Sequence, residues 1–299
     1  MKKTLLIVGS GDIALRTAPL FKNHYRIFGL YRNSNNISSL RSHGMTPIYG
    51  DLDLPQTLER ISGIAQLVIH LAPPQSEGLR DNRTNHLLSA LSRQPRNTAT
   101  ILPQRLIYIS TSGVYGDCQG AMIDETHSVN PTNERAIRRV DAEKKIRAWG
   151  TRNHVAVSIL RVPGIYAADR LPLLRLQQNL PALSENEDSY TNHIHANDLA
   201  RIIYATARYG KPGRLYHACD DSQLKMGAYF DLVADHFDYP RPPRINRDEA
   251  EKRISPGMMS FMRESRRLVN ARLKKELYIK LLYPTVVSGI QAARNERQE

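Results

Sequence analysis

Lys3-Thr4-Leu5-Leu6-Ile7-Val8-Gly9-Ser10-Gly11-Asp12-Ile13-Ala14 is the stretch on which the fold of this chain turns. Leu5 to Val8 is a short, unbroken apolar run, the pattern of a strand buried on both faces. A G-x-G-x-x-A sequence follows it and opens a segment of helical spacing. Gly9 permits a tight turn, Gly11 lets backbone approach a diphosphate, and Ala14 allows helix to pack closely on strand. The first N–H groups of such a helix have no partner within it and carry partial positive charge, which suits phosphate. Alone the glycine pattern is weak; between a strand and a helix it gains meaning. Gly9, Gly11, Asp12 and Ile13 are therefore expected to hold the diphosphate of a dinucleotide.

Outward from this loop the sequence alternates. Residues 25–31, 46–49, 66–71, 105–110 and 155–162 read as further strands, with a seventh at 214–219. Residues 14–23, 37–42, 54–61, 82–92 and 133–150 read as helices between them. Repeated strand–helix units with right-handed crossovers predict an α/β protein with a doubly wound parallel (Rossmann) sheet. From about residue 221 helical segments and the loop Pro240-Arg241-Pro242-Pro243 replace strands. This predicts a small, mostly helical C-terminal lobe over the open end of the sheet. Residues 1–170, with 194–220 returning, are expected to form the nucleotide-binding domain, and 171–193 with 221–299 the lobe.

The bulk composition fits that picture. Of 299 residues 41% are apolar and 24% charged, enough to bury a core. No apolar stretch approaches the roughly 18 residues that span a bilayer. The run after Lys3 is also shorter than the roughly 7–15 residues of a secretory core, so a cytoplasmic location is expected. Cys118 and Cys219 form no CxxC and read as two reduced thiols. The net charge is +13, and the densest basic stretch is residues 263–276. Acids interrupt it and no aromatics interleave it, so it reads as a solvated helix face rather than a nucleic-acid surface. The expected partner is a small-molecule substrate.

The end of the second strand bears on the cofactor. NAD-specific sites carry an acid there for the ribose 2′-hydroxyl. This chain has Tyr31-Arg32-Asn33-Ser34, with no acid and with a forked cation suited to a 2′-phosphate. NADP(H) is the expected cofactor. Asp51, after the third strand, is a candidate acceptor for the adenine amino group; as a local turn cap it reads equally well.

Several stretches, in order, resemble the extended and atypical branches of the short-chain dehydrogenase/reductase superfamily, the nucleotide-sugar epimerase/dehydratase group. They are GSGDIA at 9–14, Gly50-Asp51-Leu52, Val68-Ile69-His70-Leu71-Ala72, and Tyr108-Ile109-Ser110-Thr111-Ser112-Gly113-Val114-Tyr115-Gly116. Leu160-Arg161-Val162-Pro163-Gly164-Ile165-Tyr166, His193-Ile194-His195-Ala196-Asn197-Asp198-Leu199-Ala200, and Ser265 to Asn270 with Leu273 to Leu277 complete the series. The resemblance implies that Thr111 hydrogen-bonds the oxygen of a reacting carbonyl or alcohol. It also implies that Leu52, Leu71, Ala72, Pro73 and Val162 lie along the cofactor. A homodimer through two long helices, common in that group, is compatible with the sequence and not demanded by it.

One departure limits the analogy. The group's catalytic Tyr-x-x-x-Lys falls, counting from Pro131, on Arg135 and Arg139. Four residues apart, they share a helix face. Arginine stays protonated and cannot act as a general base. Arg139 is expected to meet nicotinamide-ribose hydroxyls and Arg135 to clamp an anionic substrate group. Tyr115 leads the other proton-donor candidates, followed by Tyr166, His193 and His195. His-x-His with Asp198 lacks a further ligand of known spacing, so no metal is expected. His70 reads as a core histidine. Two functions follow: an NADP(H)-dependent oxidoreductase or epimerase/dehydratase-like enzyme with an atypical proton donor, or a non-catalytic NADP(H)-binding sensor.

Overall fold

A computed structural model describes residues 2–93 and 101–298. Seven parallel strands form the central sheet: β1 (Lys3–Val8), β2 (Tyr25–Tyr31), β3 (Met45–Tyr49), β4 (Leu67–His70), β5 (Arg105–Thr111), β6 (Ala156–Val162) and β7 (Arg214–His217). Their spatial order is β7-β6-β5-β4-β1-β2-β3. The order reverses between β1 and β4, which opens the crevice where such sheets take ligands. The α/β doubly wound architecture expected from the alternation is the one observed.

The strands are buried on both faces, and each face feeds a different core. Leu5 and Ile7 of β1 join Ala14, Ala18 and Phe21 of helix α1 (Asp12–Phe21) on one side. Leu6 and Val8 point the other way, with Leu87 of helix α2 (Asn82–Leu91) and Ile146 and Trp149 of helix α3 (Glu134–Asn153). This is the period of two expected of a strand covered by helices on both sides. Asn133 caps α3, its side-chain oxygen accepting from the Ala136 N–H at 2.9 Å.

Residues 55–61 form a 3-10 helix rather than an α-helix. Pro55 starts it, and Leu58 and Ile61, both 0% exposed, are the positions it buries. Spaced three apart, they stand directly one above the other at three residues per turn and enter the same core.

A third apolar cluster lies beyond the sheet. It joins Leu173, Leu183, Phe230, Val233, Met259, Met262 and Ile290 from the segment after β6 and from the C-terminal region. Leu273 and Leu277 of the helix Ala271–Leu277, with Leu281, instead enter the sheet's own core beside helix α4 (Ala196–Tyr209). The C-terminal region thus serves two layers.

The basic stretch is not one solvated helix face. Arg266 is buried and donates to the Gly116 carbonyl at 2.7 Å and the Glu264 carboxylate at 2.9 Å. Arg267 donates to the Gly120 carbonyl and lies over the Tyr190 ring. Arg267–Leu268 pairs in parallel with Met122–Ile123. Arg272 meets Glu125 and Lys274 meets Asp221. Arg266, Arg267 and Arg272 stitch the C-terminal region to the loop after β5, and Lys274 ties it to the loop after β7. Among the described residues no helix is long and apolar enough to cross a membrane.

Candidate active site

At the switch point a cleft of about 530 Å³ opens along the C-terminal ends of β1, β2 and β4. Gly9, Gly11, Asp12, Ile13, Arg32, Asp51, Leu52, Leu71, Ala72 and Pro73 all line it. The sequence reading thus gathered residues from four separate loops into one place.

The two glycines do different things. Gly9 has φ +101°, and a Cβ there would stand 2.6 Å from the Ala72 nitrogen. Only glycine fits a turn of that hand so close to the next strand. Gly11 has φ −85°, and a Cβ there would meet nothing within 4 Å. Its missing side chain opens empty space at the mouth of α1, where the first-turn N–H groups lie. A diphosphate fits that cradle by both shape and charge.

At the far end of the cleft Arg32 is largely exposed, 3.8 Å from Asp53. Asp53 is committed to Arg83, which binds it through two nitrogens at 2.5 and 2.7 Å. That guanidinium holds the Asp53 carboxyl below its ordinary range. Arg83 also donates to the carbonyls of Pro73 and Pro74. Ser10, Asn33 and Asn36 complete this wall, Asn36 donating to the Ser10 hydroxyl at 3.4 Å. Asp51 accepts from the Asp53 N–H at 2.9 Å, so it caps its turn while lining the cleft.

Ser10, Asn33, Asn36, Arg83 and Arg170 were missed. Ser10 and Asn33 adjoin predicted residues and were legible; Arg83 and Arg170 arrive from elements distant in sequence. Val162, by contrast, does not line the cleft. Its side chain is 4% exposed and sits in the sheet core, with its Cα beside that of Thr111 across the β5–β6 ladder.

The residues that the sequence assigned to the reaction gather around the end of β5 and, like Val162, do not line the cleft. The Thr111 hydroxyl accepts from the Gly113 N–H at 3.2 Å and caps a short 3-10 turn. Arg139 reaches back to the sheet, donating to the Tyr108 hydroxyl at 3.0 Å and the Ile109 carbonyl at 2.8 Å. Arg135 crosses to the C-terminal region and stacks on the Phe261 ring, 4.3 Å from its centre. The two arginines share a helix face as expected, with different attachments.

The other proton-donor candidates are buried. Tyr115 is 1% exposed and shares a 2.5 Å hydrogen bond with His217. Burial pushes its hydroxyl up to about 12, in spite of Arg161 beside its ring. The Tyr166 hydroxyl is likewise raised by burial and donates to the Thr285 carbonyl. Burial pulls His193 down to about 3 and His195 to about 4, so both are neutral. Asp198 is fully buried, accepting from the N–H groups of Leu282 and Tyr283. Among the described residues no group of three or more His, Cys, Asp or Glu is placed to hold a metal ion. His70 sits in the core as read, beside Thr84.

Sequence reading also missed Glu264. A Cβ on Gly113 would stand 3.6 Å from the Thr111 hydroxyl oxygen and 4.0 Å from a Glu264 carboxylate oxygen. Both oxygens therefore flank one small space. Thr132, Asn133 and Arg266 all donate to that carboxylate. Nothing in its local sequence marks Glu264, because it reaches Gly113 from the far C-terminal region of the chain.

A glycine-cradled cleft at the switch point of a doubly wound sheet defines a dinucleotide-binding protein. The chain belongs to the NAD dependent epimerase/dehydratase family, whose model matches residues 9–219. Human dTDP-D-glucose 4,6-dehydratase is 26% identical over 131 residues, 41% of this chain and 37% of that one. The chain thus aligns with little more than a third of that relative. Among solved structures, a functionally unknown conserved protein from Silicibacter pomeroyi DSS superposes over 100% of both chains at a TM-score of 0.79 and 25% identity. UDP-glucose 4-epimerase of Thermotoga maritima, solved with UDP-glucose, gives a TM-score of 0.79 at 15% identity over 99% of this chain and 98% of that one. dTDP-glucose 4,6-dehydratase of Bacillus anthracis str. Ames, solved with NAD, gives 0.77 at 17% identity over 99% and 96%. These last two similarities concern the fold.

Proposed function

We propose that this protein is an NADP(H)-dependent oxidoreductase or epimerase/dehydratase acting on a small oxygenated metabolite, of which a nucleotide sugar is one candidate. The observation that carries the reading is the wall of the cleft beyond β2. Arg32, Asn33, Asn36 and Ser10 stand there, and the nearby acid, Asp53, is already bound by Arg83. That wall favours a 2′-phosphate over a bare 2′-hydroxyl.

When bound, NADPH supplies a hydride to a carbonyl carbon. The chain's own residues position and polarise. In this reading Thr111 donates its hydroxyl hydrogen to the substrate oxygen. Arg139, braced by Tyr108 and Ile109, keeps a positive charge beside the strand end and favours developing negative charge on that oxygen. Arg135, stacked on Phe261, in this reading meets an anionic group of the substrate. Neither arginine transfers a proton. Glu264, which like Thr111 approaches Gly113, takes in this reading the acid–base role of the missing phenol.

The burial of every tyrosine and histidine candidate favours a second reading, a chain that binds NADP(H) without turnover. Two assays decide between them: a screen of carbonyl substrates that follows NADPH absorbance, and product analysis of nucleotide sugars incubated with the chain and NADP+, which detects redox-neutral turnover. Turnover in either assay that Glu264→Gln abolishes, with cofactor binding retained, supports the enzyme. No turnover by the wild type in either assay, with activity appearing in the Arg135→Tyr, Arg139→Lys variant, supports the sensor.

A further inference from the structure

The cleft is lined on one side by Asp12, an acid in the first turn of α1. A carboxylate beside a diphosphate is unfavourable, because like charges close together in a partly desolvated cleft repel. The chain counters it with two arginines. Arg16, one helical turn on, donates through Nε to both Asp12 oxygens at 2.8 and 3.0 Å. It is anchored from behind by Asn197, whose side-chain oxygen accepts from it at 2.7 Å. Arg16 does not line the cleft.

Arg170 does. It closes the short 3-10 turn Ala168–Arg170 that follows β6, so it faces α1 from the opposite wall. Its Nη2 lies 3.2 Å from Asp12, and its side chain is 37% exposed. Among the described residues this is its one side-chain ion pair, against an acid that Arg16 already neutralises. Most of its N–H donors are therefore left to the cleft.

We propose that Arg170 is a diphosphate clamp: it leaves Asp12 when an adenine dinucleotide enters and closes on the phosphates from the wall opposite the glycine loop. The proposal rests on the dinucleotide reading of the cleft and adds to it a ligand group from a distant element. Asp12 parks the guanidinium beside the position where it is needed, which limits the side-chain entropy lost on binding. The ligand chemistry is the diphosphate shared by NAD(H), NADP(H) and ADP-ribose, so Arg170 contributes affinity without choosing between the cofactors.

The test is calorimetric titration of the full-length chain and its Arg170→Ala and Arg170→Lys variants with ADP-ribose, and with 2′-AMP, which has no diphosphate. Unchanged thermal midpoints establish that the variants fold. Arg170→Ala should weaken ADP-ribose by about tenfold, the lower end for hydrogen bonds to charged groups. Arg170→Lys should recover part of that loss, and 2′-AMP should bind all three proteins alike. Equal binding of ADP-ribose to the wild type and Arg170→Ala overturns the clamp. An equal loss for both ligands also overturns it, because Arg170 would then only shape the cleft. If the wild type binds neither ligand, the dinucleotide reading itself fails and the clamp falls with it.

Discussion

Gly9 and Ala72 touch backbone to backbone: a Cβ on Gly9 would fall 2.6 Å from the Ala72 nitrogen and 2.9 Å from its Cα. The loop after β1 and the end of β4 are thereby pressed into one wall. Gly9→Ala should cost both stability and binding. The strained φ alone is worth about 1–3 kcal/mol, and the backbone has no flexible atom that can yield. Gly11→Ala is its complement. With open space around that position, stability should change by no more than about 0.5 kcal/mol, while NADPH affinity falls because the methyl group occupies the cradle. Urea denaturation and NADPH titration of both variants separate the two roles.

Arg32→Ala should weaken NADPH and leave NADH unaffected. The expected loss is about 1.5 kcal/mol, the low end for a hydrogen bond to a charged group, because Arg32 is well exposed. Competition titrations with both reduced cofactors check this. Equal losses would show that Arg32 does not read the 2′-phosphate.

Below the reaction side, Arg161 grips Glu143 at 2.7 and 3.0 Å, and Ser110 donates to the same carboxylate at 2.6 Å. Both charged side chains are 6% exposed. Arg161→Met leaves an unpaired buried carboxylate and should destabilise the chain by about 3–5 kcal/mol. Replacing both, with Arg161→Met and Glu143→Leu, should recover much of that loss. Denaturant midpoints of the two single variants and the double variant provide the comparison.

Stability should fall on acidification through the histidine range. Burial holds His70, His193 and His217 at about 3 and His195 at about 4, below the unfolded value of 6.5. The unfolded chain therefore takes up protons that the folded chain refuses. The stability present above pH 6.5 is lost as pH falls, by up to about 1.4 kcal/mol per pH unit for each group. Asp220 acts in the opposite sense. Burial raises it from 3.8 to about 8, so the folded chain holds a proton that the unfolded chain releases. Its contribution is complete below about pH 4 and fades as pH rises toward 8. Asp220→Asn should thus be more stable than the wild type at pH 8 and lose that advantage at acid pH. Urea midpoints measured against pH follow both trends.

Local patterns carried most of the fold. The short apolar runs at Leu5, Ile27 and Ile107 each declared a strand, because burial on both faces calls for consecutive apolar residues. The glycine loop was legible because its chemistry is local. The segment 54–61 was read as a helix of no stated type, because its i, i+3 apolar pair suits either kind, and packing chose the 3-10 form over 55–61. The reaction side was harder to read. The hydroxyl of Tyr115 meets His217 from across the molecule, and Glu264 approaches Gly113 from the C-terminal region. Both arise from long-range contacts that no local spacing announces. Register put Arg135 and Arg139 on one helix face, but it did not reveal their partners Phe261 and Tyr108.

The account stands on the binding of an adenine dinucleotide diphosphate at the cradle between Gly9, Gly11 and α1. Its most direct test is the emission of NADPH titrated with the purified full-length chain, with ADP-ribose then added as competitor. A saturable change in emission that ADP-ribose reverses, and that Gly11→Ala weakens, is the predicted result. Emission that stays unchanged at every protein concentration, with no heat evolved in a parallel calorimetric run, would contradict it.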